Sequence, residues 1–192
     1  MTYTEANLLP KKHIVNQQYQ DFLDKFGEEG NLIVIGFKDN TFFTPKAFEA
    51  WNELMTSLKT AKEVDLVVSL NDLKKLEKDT IAQKFQLVNF IDQSQTDKTE
   101  YLQKIKYELF HQLPFYEGLL FNKETGSIRS AVYLKKNIVN TAARKTFIIE
   151  NLVPKIEKFE KTTNIDLRVS GMPYIRTINA ENMKGEIGLF IG

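Results

Sequence analysis

Two histidines, His13 and His111, are the only imidazoles in the chain, and cysteine is absent. A histidine that captures a metal or acts as a general base needs a second ligand or an orienting carboxylate at recognisable spacing. Neither has such a helper, and the two lie far apart in helical segments of different character. The lack of cysteine removes disulfides, thiolate metal sites and thiol nucleophiles, and suits either the cytosol or the bacterial periplasm. Glu28 and Glu29, framed by Gly27 and Gly30, would repel a phosphate, so the glycines read as a helix-to-strand turn. Asp21 and Asp24 read as solvated charge on a polar helix face. No serine sits in a nucleophile elbow, and no glycine pattern follows a strand as a dinucleotide site requires. These residues predict no enzyme, no metal centre and no cofactor.

Aromatic residues are the more informative set. Phe42-Phe43, Phe115-Tyr116 and Tyr174 fall at junctions between elements, where most are expected to be satellite core. Those that face a groove would offer large contact area at little entropic cost, which suits an apolar or amphiphilic ligand. Phe115, Tyr116 and Tyr174 are the candidate ligand contacts.

The elements that must position them follow from periodicity. Ile14, Tyr19, Phe22, Leu23 and Phe26 approximate helical spacing over Lys12 to Phe26, an opening helix. Leu32 to Phe37 is an apolar run of strand length. Thr44-Pro45 supplies a cap and a first-turn proline for a helix reaching about Lys59, with Phe48, Trp51, Leu54, Met55 and Leu58 on its apolar face. Val64 to Leu70 is a second buried strand.

From Asn71 to Gln112 the chain is rich in Lys, Gln and Asp. Phe85, Val88 and Ile91, then Leu102, Ile105 and Leu109, recur at helical intervals and predict two or three connecting helices. Pro114 ends the last of them. Leu119 to Asn122 and Ile128 to Leu134 flank Lys123-Glu124-Thr125-Gly126, the composition of a hairpin loop. Asn140 or Thr141 can cap a helix striped by Phe147, Ile148, Leu152, Ile156 and Phe159, which Pro154 kinks or divides. Ile165 to Ser170 returns as a strand.

Val64-Asp65-Leu66-Val67-Val68-Ser69 aligns with Ile165-Asp166-Leu167-Arg168-Val169-Ser170, and each closes a strand-helix-strand unit. Right-handed crossovers would set both helices on one face of a shared or paired sheet. The expected fold is α+β, ferredoxin-like, built of two related halves with extra connecting helices. Its expected organisation is an opening helix and connection (1–30), a first unit (31–70), a helical connection (71–117), a hairpin with the second unit (118–170) and an exit segment (171–192).

With 192 residues, 42% hydrophobic and 27% charged, the chain can bury one core or two small ones. Lys plus Arg number 26 against 25 for Asp plus Glu, so no basic field attracts a nucleic acid or an anionic membrane. Met1 to Pro10 lacks a signal-peptide core, and no Asn-x-Ser/Thr sequon occurs. Gly185 to Gly192 turns apolar, and Ile187 to Gly192 would supply only the first turns of a spanning helix, which needs about 20 apolar residues.

Leu8-Leu9-Pro10-Lys11-Lys12-His13, a helix, and then Phe26-Gly27-Glu28-Glu29-Gly30-Asn31-Leu32-Ile33-Val34-Ile35 resemble the start of a known domain. It is the first extracytoplasmic loop of bacterial exporters of the resistance-nodulation-division superfamily, in the hydrophobe/amphiphile branch of membrane protein large transporter type. Ser170-Gly171-Met172-Pro173-Tyr174-Ile175-Arg176-Thr177 and the approach through Asn182 to Glu186 are similar to the stretch leading to that family's second membrane helix. The likeness spans nearly the whole chain, except Asn71 to Gln112, which matches no pattern of the family.

The resemblance implies a porter domain on the periplasmic side of the bacterial inner membrane, forming part of a path for hydrophobic or amphiphilic molecules or lipids. Its implied partner is the second extracytoplasmic loop of the same transporter, and the parent could be a homo-oligomer. The ionisable residues that couple transport to protons would lie in membrane helices outside this chain. A rival expectation is a non-catalytic ligand- or protein-binding ectodomain of a membrane-anchored sensor or translocation accessory protein.

Overall fold

The computed structural model describes residues 30–38, 41–79 and 83–191, with side chains as far as Met183. The opening helix of Lys12 to Phe26, His13, and the Asp21, Asp24, Glu28 and Glu29 carboxylates lie outside the described residues.

Alternation in two strands creates the core. In β1 (Leu32–Phe37), Ile33, Ile35 and Phe37 are buried while Leu32, Val34 and Gly36 are half-exposed. In β6 (Ser127–Leu134), Ile128, Ser130, Val132 and Leu134 are buried in the same way. The strands pair antiparallel with Ile33 opposite Val132, Ile35 opposite Ser130 and Phe37 opposite Ile128, so the buried residues share one face. On the outer side of β6, β2 (Val64–Val68) pairs antiparallel, with a register shift between Val64 and Leu66. That bulge lets Val64 and Val67 both point inward although they are three residues apart. β7 (Arg168–Ser170) pairs antiparallel with the outer side of β1. The two-residue β5 (Phe121–Asn122) extends the β6 hairpin, whose turn places Gly126 at φ 68° and is closed by the Asn122 carboxamide accepting from the Thr125 amide.

The resulting order, β2-β6-β1-β7, interleaves two strand-helix-strand halves. β1 and β2 run parallel with β6 between them, while β6 and β7 run parallel with β1 between them. An exchange of β1 with β6 and of β2 with β7 maps the sheet on itself. The fold is thus α+β, as expected.

Helix α1 (Pro45–Lys59) buries the five apolar residues anticipated for it, together with Ala47. Thr44 stands at its N-cap, yet its hydroxyl donates back to the Thr41 carbonyl at 3.0 Å instead of accepting from the first turn. In the second half, Thr141 caps α3 (Ala142–Thr146) by accepting from the Ala143 amide, and a π-helical segment (Phe147–Leu152) leads into α4 (Val153–Thr163). Pro154 has no amide to donate, and the wider turns come just before it. Phe147, Ile148, Leu152, Ile156 and Phe159 are all buried, and α4 packs beside α1, with the Phe159 ring edge-on to Trp51 at 5.7 Å. Asn164 ends α4 in the left-handed region at φ 58°. Ile165 is buried but precedes the strand, which is shorter than the expected Ile165 to Ser170. α5 (Met172–Ile191) follows.

The middle of the chain departs from expectation. Of the anticipated connecting helices, only α2 (Thr99–Gln112) is an α-helix, burying Leu102, Ile105 and Leu109. The stretch carrying Phe85 and Val88 is a two-stranded ribbon, β3 (Lys74–Asp79) and β4 (Lys84–Asn89). Leu76 pairs with Leu87 and Lys78 with Phe85, so the decisive period was two, split over two strands, and the i, i+3 spacing of Phe85 and Val88 was coincidental. Phe85 is 66% exposed whereas Ile91 is 4% exposed, which no shared helix face would produce.

Candidate binding surfaces

Among the described residues no group of three His, Asp or Glu could hold a metal. His111 stacks on Tyr107 with centroids 4.4 Å apart, and its Nδ1 lies 2.8 Å from the Tyr107 carbonyl. Lys155 is held below the ordinary lysine range by burial, with nearby Glu63 opposing the shift. Its ammonium donates to the Asn151 carboxamide and lines a groove of about 490 Å³ between α1 and α4. That groove also holds the Lys158–Glu53 ion pair at 3.3 Å, with Lys46 and Glu49. Its charges alternate in sign, as on a solvated seam between helices.

Phe42 and Phe43 are fully buried, and Phe42 contacts the rings of Phe37, Phe48 and Trp51 at 4.5, 5.6 and 5.9 Å. These junction aromatics are core. The three candidate contacts have different situations. Phe115 is 79% exposed in a short 3₁₀ turn after α2 (Pro114–Tyr116). Beside it, the Tyr116 hydroxyl donates to the Lys74 carbonyl at 3.0 Å and accepts from the Lys74 amide, fastening the first residue of β3. Tyr174 is half-buried against the core at the start of α5, and burial, then the charge of Glu160, raises its phenol above the ordinary range. Phe115 and Tyr116 touch each other at 5.1 Å, and among the described residues no ring contact joins either to Tyr174.

Phe115 is one of several exposed apolar residues in the insertion between β2 and β5. Leu76, Phe85, Leu87, Tyr107 and Leu119, all in that insertion, are more than half exposed as well. The ribbon is nevertheless anchored: Leu73, Phe90 and Ile91 at its base are buried, and the Phe90 amide donates to the Leu73 carbonyl.

A second surface is the sheet face turned away from α1 and α4. Register sets Leu66, Tyr133 and Leu32 in one row and Val68, Ala131, Val34 and Ser170 in the next. The third row is Arg129, Gly36 and Arg168. Sequence reasoning did not single out these arginines. The available signal was the alternation of Ser127, Arg129, Ala131 and Tyr133 with four buried residues, together with a glycine inside an otherwise apolar strand. No family model matches the chain, and no curated protein matches it.

Proposed function

We propose that this chain is the extracytoplasmic porter domain of a membrane exporter, with a ferredoxin-like core and a path for hydrophobic or amphiphilic substrates. The carrying observation is where the core is entered and left. β1 starts and β7 ends at the same end of the sheet, on adjacent strands, and a Cβ at Gly171 would lie 2.2 Å from the Leu32 carbonyl. The chain therefore enters β1 and leaves β7 at neighbouring points, as a domain looped out between two membrane helices requires. The interleaved sheet order supports the ferredoxin-like reading. Because the central ladder joins β1 of one half to β6 of the other, the domain would move as one body, driven by events in membrane helices outside this chain. Among the described residues no helix is long and apolar enough to cross a membrane.

The absence of native cysteine gives a clean test of topology. Lys123→Cys, in the exposed β5–β6 turn, is introduced into the full-length gene product with any cysteine outside this stretch replaced. A membrane-impermeant maleimide should label it in spheroplasts without lysis. Labelling only after lysis overturns the extracytoplasmic assignment. Of the candidate contacts, Phe115 is the side chain free to meet a ligand, since Tyr116 fastens the ribbon and Tyr174 packs against the core. Phe115→Ala is expected to weaken uptake of a fluorescent amphiphile severalfold, and unchanged affinity would remove that residue from the path.

A further inference from the structure

The third row of the sheet face turned away from α1 and α4 separates charge from apolar surface. Gly36 on β1 is opposite Arg129 of β6 on one side and Arg168 of β7 on the other. Neighbouring strands lie about 4.8 Å apart, so the two arginine Cα atoms are separated by roughly 10 Å across a residue without a side chain. A Cβ at Gly36 would come 3.1 Å from the Ile128 carbonyl and 3.5 Å from Arg129 Cγ. Glycine therefore relieves a close strand approach and keeps the space beside the Arg129 stem open. Only four arginines occur in the sequence, the other two being Arg144 and Arg176.

Neither Arg129 nor Arg168 has a side-chain hydrogen bond or ion pair among the described residues, and Asp166, two positions before Arg168, forms no ion pair with it. The two adjoining rows are apolar apart from the Tyr133 hydroxyl and Ser170. From Gly36 to Leu32 they provide about 13 Å of floor along β1. Guanidinium groups match carboxylate and phosphate oxygens in bidentate fashion.

The geometry points to a binding site for a single-chain anionic amphiphile on this face. Its carboxylate or phosphate headgroup lies over Gly36 between Arg129 and Arg168, and its alkyl chain runs across Val34 and Ala131 toward Leu32, Tyr133 and Leu66. This assignment narrows the substrate class of the proposed porter path and rests on that reading, but its test is independent of membrane topology.

Titration calorimetry of the 192-residue chain would compare decanoate, decyl phosphate, decyl glucoside, decyltrimethylammonium and inorganic phosphate, each below its micellar concentration. Decanoate or decyl phosphate should bind most tightly, and the preferred one identifies the headgroup. Arg129→Gln and Arg168→Gln should each weaken that binding about tenfold, as loss of a charged hydrogen-bond partner does, while Lys123→Gln leaves it unchanged. Independently of the variants, a diazirine-bearing decanoate should cross-link within residues 32–36 or 129–133. Equal affinity for the uncharged or cationic amphiphile, affinity for inorganic phosphate matching that of decyl phosphate, or wild-type affinity in folded Arg→Gln variants would overturn the site. So would cross-links confined to the Phe115 turn. Cysteine labelling from outside combined with no anion preference would remove this site and leave the porter reading standing, and the converse result would do the opposite.

Discussion

Asp92 illustrates how carboxylates of this chain are committed to structure. One of its oxygens accepts from the Ser94 amide at 3.0 Å and the Ser94 hydroxyl at 2.7 Å, and the other accepts from the Gln95 carboxamide at 3.0 Å. Those bonds, led by Gln95, hold its pKa below the ordinary aspartate range. A carboxylate with a depressed folded pKa stabilises the fold above its unfolded pKa, and the contribution is lost as pH falls through the folded value. Asp92→Ala should therefore melt at lower temperature than wild type at pH 7, and the gap should close as the pH is taken well below 4. A gap that persists unchanged at pH 2 would mean that packing, not the ionised cap, was lost. A comparable network binds Asp72, whose carboxylate accepts from both the amide and the hydroxyl of buried Ser69 at 2.9 Å while also pairing with Lys59. Both carboxylates act as turn fasteners.

At the scale of elements, a close backbone approach falls where the second half ends. Gly171 has φ +117°, and a Cβ there would meet the Leu32 carbonyl at 2.2 Å and Ile33 Cα at 3.0 Å. Both atoms belong to the central strand and cannot swing aside. Gly171→Ala should cost about 3 kcal/mol or more, combining backbone strain with displacement of β7 and α5 from β1. Chemical denaturation measures this, and a loss under about 1 kcal/mol would show that the junction yields easily. Strongly periodic elements were legible: β1, α1, β6 and the stripe through Phe147 and Phe159 depend on burial of one face, and residue spacing reports burial directly. The 74–89 ribbon was not, because its apolar residues face outward. Without a buried face, nothing distinguishes the alternation of Leu76, Phe85 and Leu87 from a helical interval. The arginine row was hidden for another reason: Gly36, Arg129 and Arg168 meet only through the interleaved order of the strands, and sequence spacing carries no trace of which strands are neighbours.

For the molecule as a whole, stability and recognition are segregated. The interleaved sheet, α1, α4 and α2 share one core running from Ile33 to Ile165, while the insertion between β2 and β5 holds Leu76, Phe85 and Leu87 outside it at 62%, 66% and 67% exposure. Side chains that exposed add little to the folding free energy, so selection for stability does not explain three large apolar residues on one ribbon face. Lys74 and Lys78 lie on that same face, across from Asn89 and Phe85, and charges of this kind discourage indiscriminate strand pairing. The combined variant Leu76→Gln, Phe85→Gln and Leu87→Gln should consequently leave unfolding free energy within about 0.5 kcal/mol of wild type. It should also elute earlier from a hydrophobic-interaction column and sediment with less concentration dependence. If the variant instead loses several kcal/mol, the ribbon is packed in solution and belongs to the core. If stability and retention are both unchanged, these residues do not form the apolar surface of the domain, and the contact face must be sought on the side of the sheet turned away from α1 and α4.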